Sequence, residues 1–150
     1  MTASEKSIEL AHVAARSAYE RGGESIAVYD VSDVMAIADI FVVVTAGNER
    51  QVRAVVEEIE DGLTGVGSEP LRREGQNESR WVLLDYGQFV VHVQRSQERE
   101  FYGLDRLYAD CPLIGIEGVE NFERPGAYAD DVDTRSVESI DDIPLAGDEV

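Results

Sequence analysis

The amino-acid sequence predicts an α/β (α+β) domain, a five-stranded mixed sheet flanked by helices. Three observations carry that expectation. Ile40 to Thr45 (IFVVVT) is an apolar, β-branched run, the pattern of a central strand covered on both faces. WVLLDYGQFVVHV, Trp81 to Val93, holds two apolar runs separated by a polar, glycine-containing step, which marks a hairpin. Elsewhere, long segments repeat their apolar residues at helical rather than strand spacing.

In chain order, a first helix is expected over about residues 4–21. Ile8, Ala11, Ala15, Ala18 and Tyr19 form its stripe, Thr2 with Glu5 offers a capping box, and Gly22-Gly23 ends it. A strand over SIAVYDV follows, then Ile40 to Thr45. Asn48 is the expected N-cap of a second helix, in which Val52, Val55, Val56, Ile59 and Leu63 make the buried stripe. Glu57, Glu58, Glu60 and Asp61 lie on its other face, where the helix dipole disfavours them, so they read as solvated charge. Gly62, Gly65 and Gly67 stop this helix, and a third strand runs from about Pro70 to Glu74.

A hairpin turn at Tyr86-Gly87 would set Trp81 opposite His92 and Leu83 opposite Val90 on one face. Val82, Leu84, Phe89 and Val91 would then line the other. Ser96 is the expected cap of a last helix, SQEREFYGLDRLYAD, with Phe101, Leu104 and Tyr108 inward. The order α-β-β-α-β-β-β-α closes a domain over residues 1–110. Residues 111–150 are acidic and lose the apolar period, so they read as a disordered tail.

Composition narrows the function classes. The 150 residues suffice for one domain with a hydrophobic core, and no run reaches the roughly 18 apolar residues of a membrane helix. No secretory signal is visible at the amino terminus, and the single Cys111 excludes an internal disulfide, so a reducing cytoplasm is the expected location. The formal net charge is −18. Naked nucleic acid is a poor direct ligand for such a surface, whereas a basic protein partner suits it.

Candidate chemistry thins out on inspection. Gly47 between a strand and a helix is an anion-binding arrangement, yet neither a dinucleotide glycine triplet nor a Walker loop accompanies it. Asp30, Asp39 and Asp85 stand singly near strand ends rather than as a paired metal-binding set, and Asp130, Asp131 and Asp133 cluster outside the expected domain. His12 falls at the solvent edge of a helix and His92 within a strand, with no serine on a glycine-flanked elbow. No catalytic set, metal site or cofactor site is expected.

The blocks ADIFVVVTAGNERQVRAVVEEIEDGL, Glu74-Gly75, WVLLDYGQFVVHV and REFYGLDRLY together resemble the ribosome-silencing factor family, also called Iojap-like proteins. The resemblance spans roughly residues 5–110. It implies a nucleotidyltransferase-like fold without catalytic carboxylates, and a non-enzymatic translation repressor. Such a factor binds the large ribosomal subunit through its ribosomal protein number fourteen, and sterically blocks the small subunit under nutrient limitation. By the same resemblance, Glu74, Trp81, Leu83, Asp85, Tyr86, Gly87, His92, Arg99 and Tyr102 are the partner-binding candidates, with Trp81 an interface anchor rather than a core residue. Phe101 is expected in the core, and Asp85 is equally suited to holding turn amides.

This sequence departs from the family at Gln88, often an aspartate, and at Tyr108, often a tryptophan. Three alternatives stay open: a large-subunit assembly factor, a degenerate nucleotidyltransferase-like enzyme, and a homodimer that buries the Trp81 face against itself.

Overall fold

A computed structural model of the protein describes residues 2–124. The elements are α1 (Glu5–Glu20), β1 (Glu24–Asp30), β2 (Ile40–Ala46), α2 (Glu49–Thr64), β3 (Arg72–Glu74), β4 (Trp81–Asp85), β5 (Phe89–Arg95), α3 (Ser96–Tyr102) and α4 (Leu104–Leu107). The five strands form one mixed sheet in the order β1-β2-β5-β4-β3. The β2–β5 pair is parallel and the other three are antiparallel. The expected five-stranded mixed sheet with helices is present, and β2 is buried along its whole length, as its unbroken apolar run requires.

Strand alternation divides the interior in two. One face of the sheet contributes Ile40, Val42, Val44, Val82, Leu84, Val91 and Val93. It packs on Ala11, Ala14, Ala15 and Ala18 of α1 and on Val52, Val55, Ile59 and Leu63 of α2. The other face contributes Tyr29, Phe41, Val43, Trp81, Leu83 and Val90 and packs on Leu104, Tyr108 and Cys111. Asn48 caps α2 as expected, its side chain accepting from the Gln51 amide at 2.8 Å. On the outer face of α2, Glu60 pairs with Arg73 at 2.7 Å.

Several expectations need correction. The cap of α1 is Ser4, whose hydroxyl accepts from the Ser7 amide, because Asp30 and Asp39 take the amides of Ala3 and Ser4 and hold the entering chain there. The hairpin register is shifted by two residues: Tyr86 N–H bonds to Phe89 C=O, so Gly87 and Gln88 form the turn, Trp81 faces Gln94 and Leu83 faces His92. An even shift keeps every side chain on its expected face. The last helix is two helices, broken at Gly103, whose left-handed backbone (φ 64) ends α3. Its phase therefore restarts, and Phe101 is 65% exposed rather than inward. Arg95, not Ser96, occupies the α3 cap position.

The domain does not stop at residue 110. Asp30 N–H bonds to Pro112 C=O, Ile114 N–H bonds to Val28 C=O, and Cys111 and Ile116 are buried, so residues 111–116 cover the outer edge of β1. The expectation of disorder over 125–150 lies outside the described residues.

Candidate partner-binding site

The candidates lie on two levels, one inside the second core and one at the surface. Trp81 is 3% exposed, and its ring lies 4.7 Å from that of Tyr102 on α3. Its indole N–H donates to His92 Nδ1 at 3.1 Å, which leaves the imidazole hydrogen on Nε2. His92 is fully buried between Trp81 and Phe41, and burial pushes its pKa down to about 3, so the ring is neutral. Leu83 is 1% exposed beside it. The expectation that Trp81 is an exposed anchor rather than a core residue therefore fails in the isolated chain. Alternation correctly grouped Trp81, Leu83 and His92 on one face, but α3 and α4 cover that face from within the same chain.

Arg99 is also internal. Its Nε and Nη2 donate to the two oxygens of Asp105 at 2.8 and 3.1 Å, and its Nη1 reaches Thr45 Oγ1 at 3.0 Å and the Ser25 carbonyl. Tyr29 Oη donates to the same Asp105 at 2.7 Å, and burial raises the Tyr29 phenol far above its ordinary value. This fork ties α3 and α4 to β1 and β2. A bidentate, fully hydrogen-bonded pair is the form in which buried charge is tolerated.

At the surface remain Glu74, Asp85, Tyr86, Gly87 and Tyr102, all half-buried. Asp85 Oδ1 accepts from the Gly87 amide at 2.8 Å and so braces the turn, while Arg72 lies between Glu74 (3.1 Å) and Asp85 (3.8 Å). Tyr86 stacks on Phe89, with ring centroids 4.7 Å apart. Two neighbours went unselected: Leu71, 77% exposed against the Gly87 turn, and Phe101, 65% exposed beside Tyr102. Only side-chain exposure distinguishes them, which local sequence does not reveal.

The carboxylates considered for a metal are otherwise employed. Asp30 accepts from Ala3 N–H, Ser32 N–H and Ser32 Oγ. Although burial raises its pKa, those bonds outweigh it and hold the carboxyl below its ordinary value. Asp39 accepts from Ser4 N–H and Ser7 Oγ. Among the described residues, no group of three or more His, Cys, Asp or Glu residues is arranged to hold a metal ion.

Comparison with known proteins decides the family. The family described as "Ribosomal silencing factor during starvation" (RsfS) matches residues 4–141. The chain belongs to the ribosomal silencing factor family. It is similar to the ribosomal silencing factor RsfS of Halalkalibacterium halodurans, at 34% identity over 74% of this chain and 95% of that protein. The Bacillus subtilis silencing factor is also 34% identical, over 70% of this chain and 89% of its own. The chloroplastic Iojap protein of Zea mays is 27% identical over 68% of this chain and 44% of its own. A crystal structure from Bacillus halodurans superposes with a TM-score of 0.64 at 29% identity, covering 73% of this chain and 99% of that one. A Chromobacterium violaceum structure, at 24% identity, shares the fold with a TM-score of 0.66 over 82% of this chain and 95% of its own.

Proposed function

We propose that this silencing factor binds the large ribosomal subunit through its ribosomal protein number fourteen and sterically excludes the small subunit, repressing translation in the cytoplasm without catalysing a reaction. The family match across residues 4–141 carries this reading. The net charge of −18 supports it, since an acidic body is steered toward a basic, RNA-bound protein. Among the described residues no helix is long and apolar enough to cross a membrane. The engagement of Asp30 and Asp39 with the first helix favours a binding role over a nucleotidyltransferase-like one. The Trp81 face is already covered by α3, so self-association through it loses its motive.

The proposed contact surface is therefore the outer layer over the buried motif: Leu71, Glu74, Asp85, Tyr86 and Gly87 around the hairpin turn, with Phe101 and Tyr102 on α3. The full chain, mixed with separated subunits and sedimented through sucrose, should co-migrate with large subunits and suppress their association with small ones. A folded Leu71→Glu/Phe101→Glu variant should bind large subunits at least ~10-fold more weakly. If the unaltered chain neither sediments with large subunits nor reduces association, the reading is wrong.

A further inference from the structure

A cleft of about 790 Å³ runs between the start of β1 and residues 119–123, on the side of the sheet away from the β4–β5 turn. Tyr19, Glu24, Ile26, Glu120, Phe122 and Glu123 line it. It continues into a smaller cleft of about 280 Å³ that shares Ile26, Glu120 and Phe122, giving an elongated groove along the outer edge of β1. That edge is paired only from Val28 onward, by residues 112–114. Before that point Glu24 pairs with Thr45 of β2 on the inner side and the Ser25 carbonyl accepts from Arg99, while among the described residues no strand pairs with Ile26 on the outer side.

Glu24, Glu120 and Glu123 are exposed, and none has an ion pair or side-chain hydrogen bond with another described residue. Two aromatic rings flank these carboxylates. Tyr19 is 46% exposed, and the Phe122 ring already carries a guanidinium, that of Arg99, 4.7 Å from its centroid. Exposed carboxylates with no partner among the described residues, the half-exposed Tyr19 ring and the outer edge of β1 at Ile26 together form a receptor for extended, cationic chain.

We propose that this groove docks an extended Arg- or Lys-bearing peptide segment of a basic protein. The carboxylates pair with its cations, Tyr19 supplies a ring face, and the outer edge of β1 at Ile26 supplies a backbone partner. Charge excludes the nearer occupants. The sequence of residues 125–150 has eight acidic residues and one arginine, a charge that does not match the carboxylates of the groove. A second copy brings a net −18, and its one adjacent basic pair, Arg72 and Arg73, is already ion-paired. This site stands independently of the subunit-binding surface proposed above.

The test is fluorescence anisotropy of a labelled hexa-arginine peptide titrated with the full chain at low salt. Glu24→Gln/Glu120→Gln/Glu123→Gln should weaken binding about tenfold, whereas Asp130→Asn/Asp131→Asn/Asp133→Asn, which removes as much charge elsewhere, should change it less than about twofold. Tyr19→Ala should cost about threefold. Equal losses in the two triple variants, or no binding by the unaltered chain, would overturn the proposal. Subunit sedimentation is not involved, so failure here leaves the silencing reading untouched.

Discussion

Trp81 spends both halves of its chemistry inward: the ring packs against Tyr102 and the N–H is taken by His92. Truncation should accordingly be a stability lesion. Trp81→Ala is expected to lower the unfolding free energy by ~3–5 kcal/mol, read as a fall in the urea midpoint. Any loss of ribosome binding in that variant would follow from unfolding, so contact has to be probed at Leu71 and Phe101. His92 adds a pH signature. Its folded pKa, about 3, is depressed below the ordinary 6.5, so the unfolded chain binds the proton more readily. The contribution of His92 is whole above about pH 6.5 and is lost as pH falls toward 3. Urea midpoints measured at pH 7, 5.5 and 4.5 should decline in the natural chain, and the decline should be shallower in His92→Gln.

Among the elements, α3 and α4 depend on one buried ion pair. Arg99→Ala leaves the Asp105 carboxylate buried beside Tyr29 and is expected to cost ~3–5 kcal/mol. Adding Asp105→Ala should restore part of that loss, and a double-mutant cycle by chemical denaturation measures the coupling. Ahead of β4, Gly75 has a φ of 81, and a Cβ there would stand 1.9 Å from the Trp81 carbonyl oxygen. Gly75→Ala should therefore lower the melting temperature clearly, whereas the same change at Gly47, where a Cβ would meet nothing, should not.

Most elements were legible because period and burial coincide. The runs of β2 and α2 admit only one face or both, and the structure follows them. Register was not legible in the same way. A period of two assigns Trp81 and His92 to one face but cannot distinguish shifts by two residues. Nor does alternation tell whether a face is covered by the same chain or by another, so only the family resemblance made the motif around Trp81 a contact surface. Phe101 was misplaced because Gly103 resets the helix phase, and residues 111–116 because an extended strap has no period to detect.

For the whole molecule, charge sets how encounters depend on conditions. If silencing is steered by the acidic body, association with large subunits should slow as ionic strength rises from about 50 to 300 mM, with dissociation changing less. Stopped-flow mixing of labelled chain with large subunits separates the two rates. The matched span, residues 4–141, extends beyond the motif blocks, the last of which ends near residue 110. The packing of residues 111–116 on β1 supplies a physical reason for part of that difference.

The parallel pairing of β2 with β5 also has a consequence for synthesis. Ile40 cannot meet its neighbour Phe89 until 49 further residues have been made. At about 5–20 residues per second, the most apolar strand of the protein waits several seconds with one side unsatisfied. The β4–β5 hairpin is local and forms in microseconds once it emerges, so completion of the sheet is timed by elongation rather than by search. During that interval a nascent chain of this protein is most exposed to aggregation and to holdase chaperones, and codon-level slowing between α2 and β4 would lengthen it.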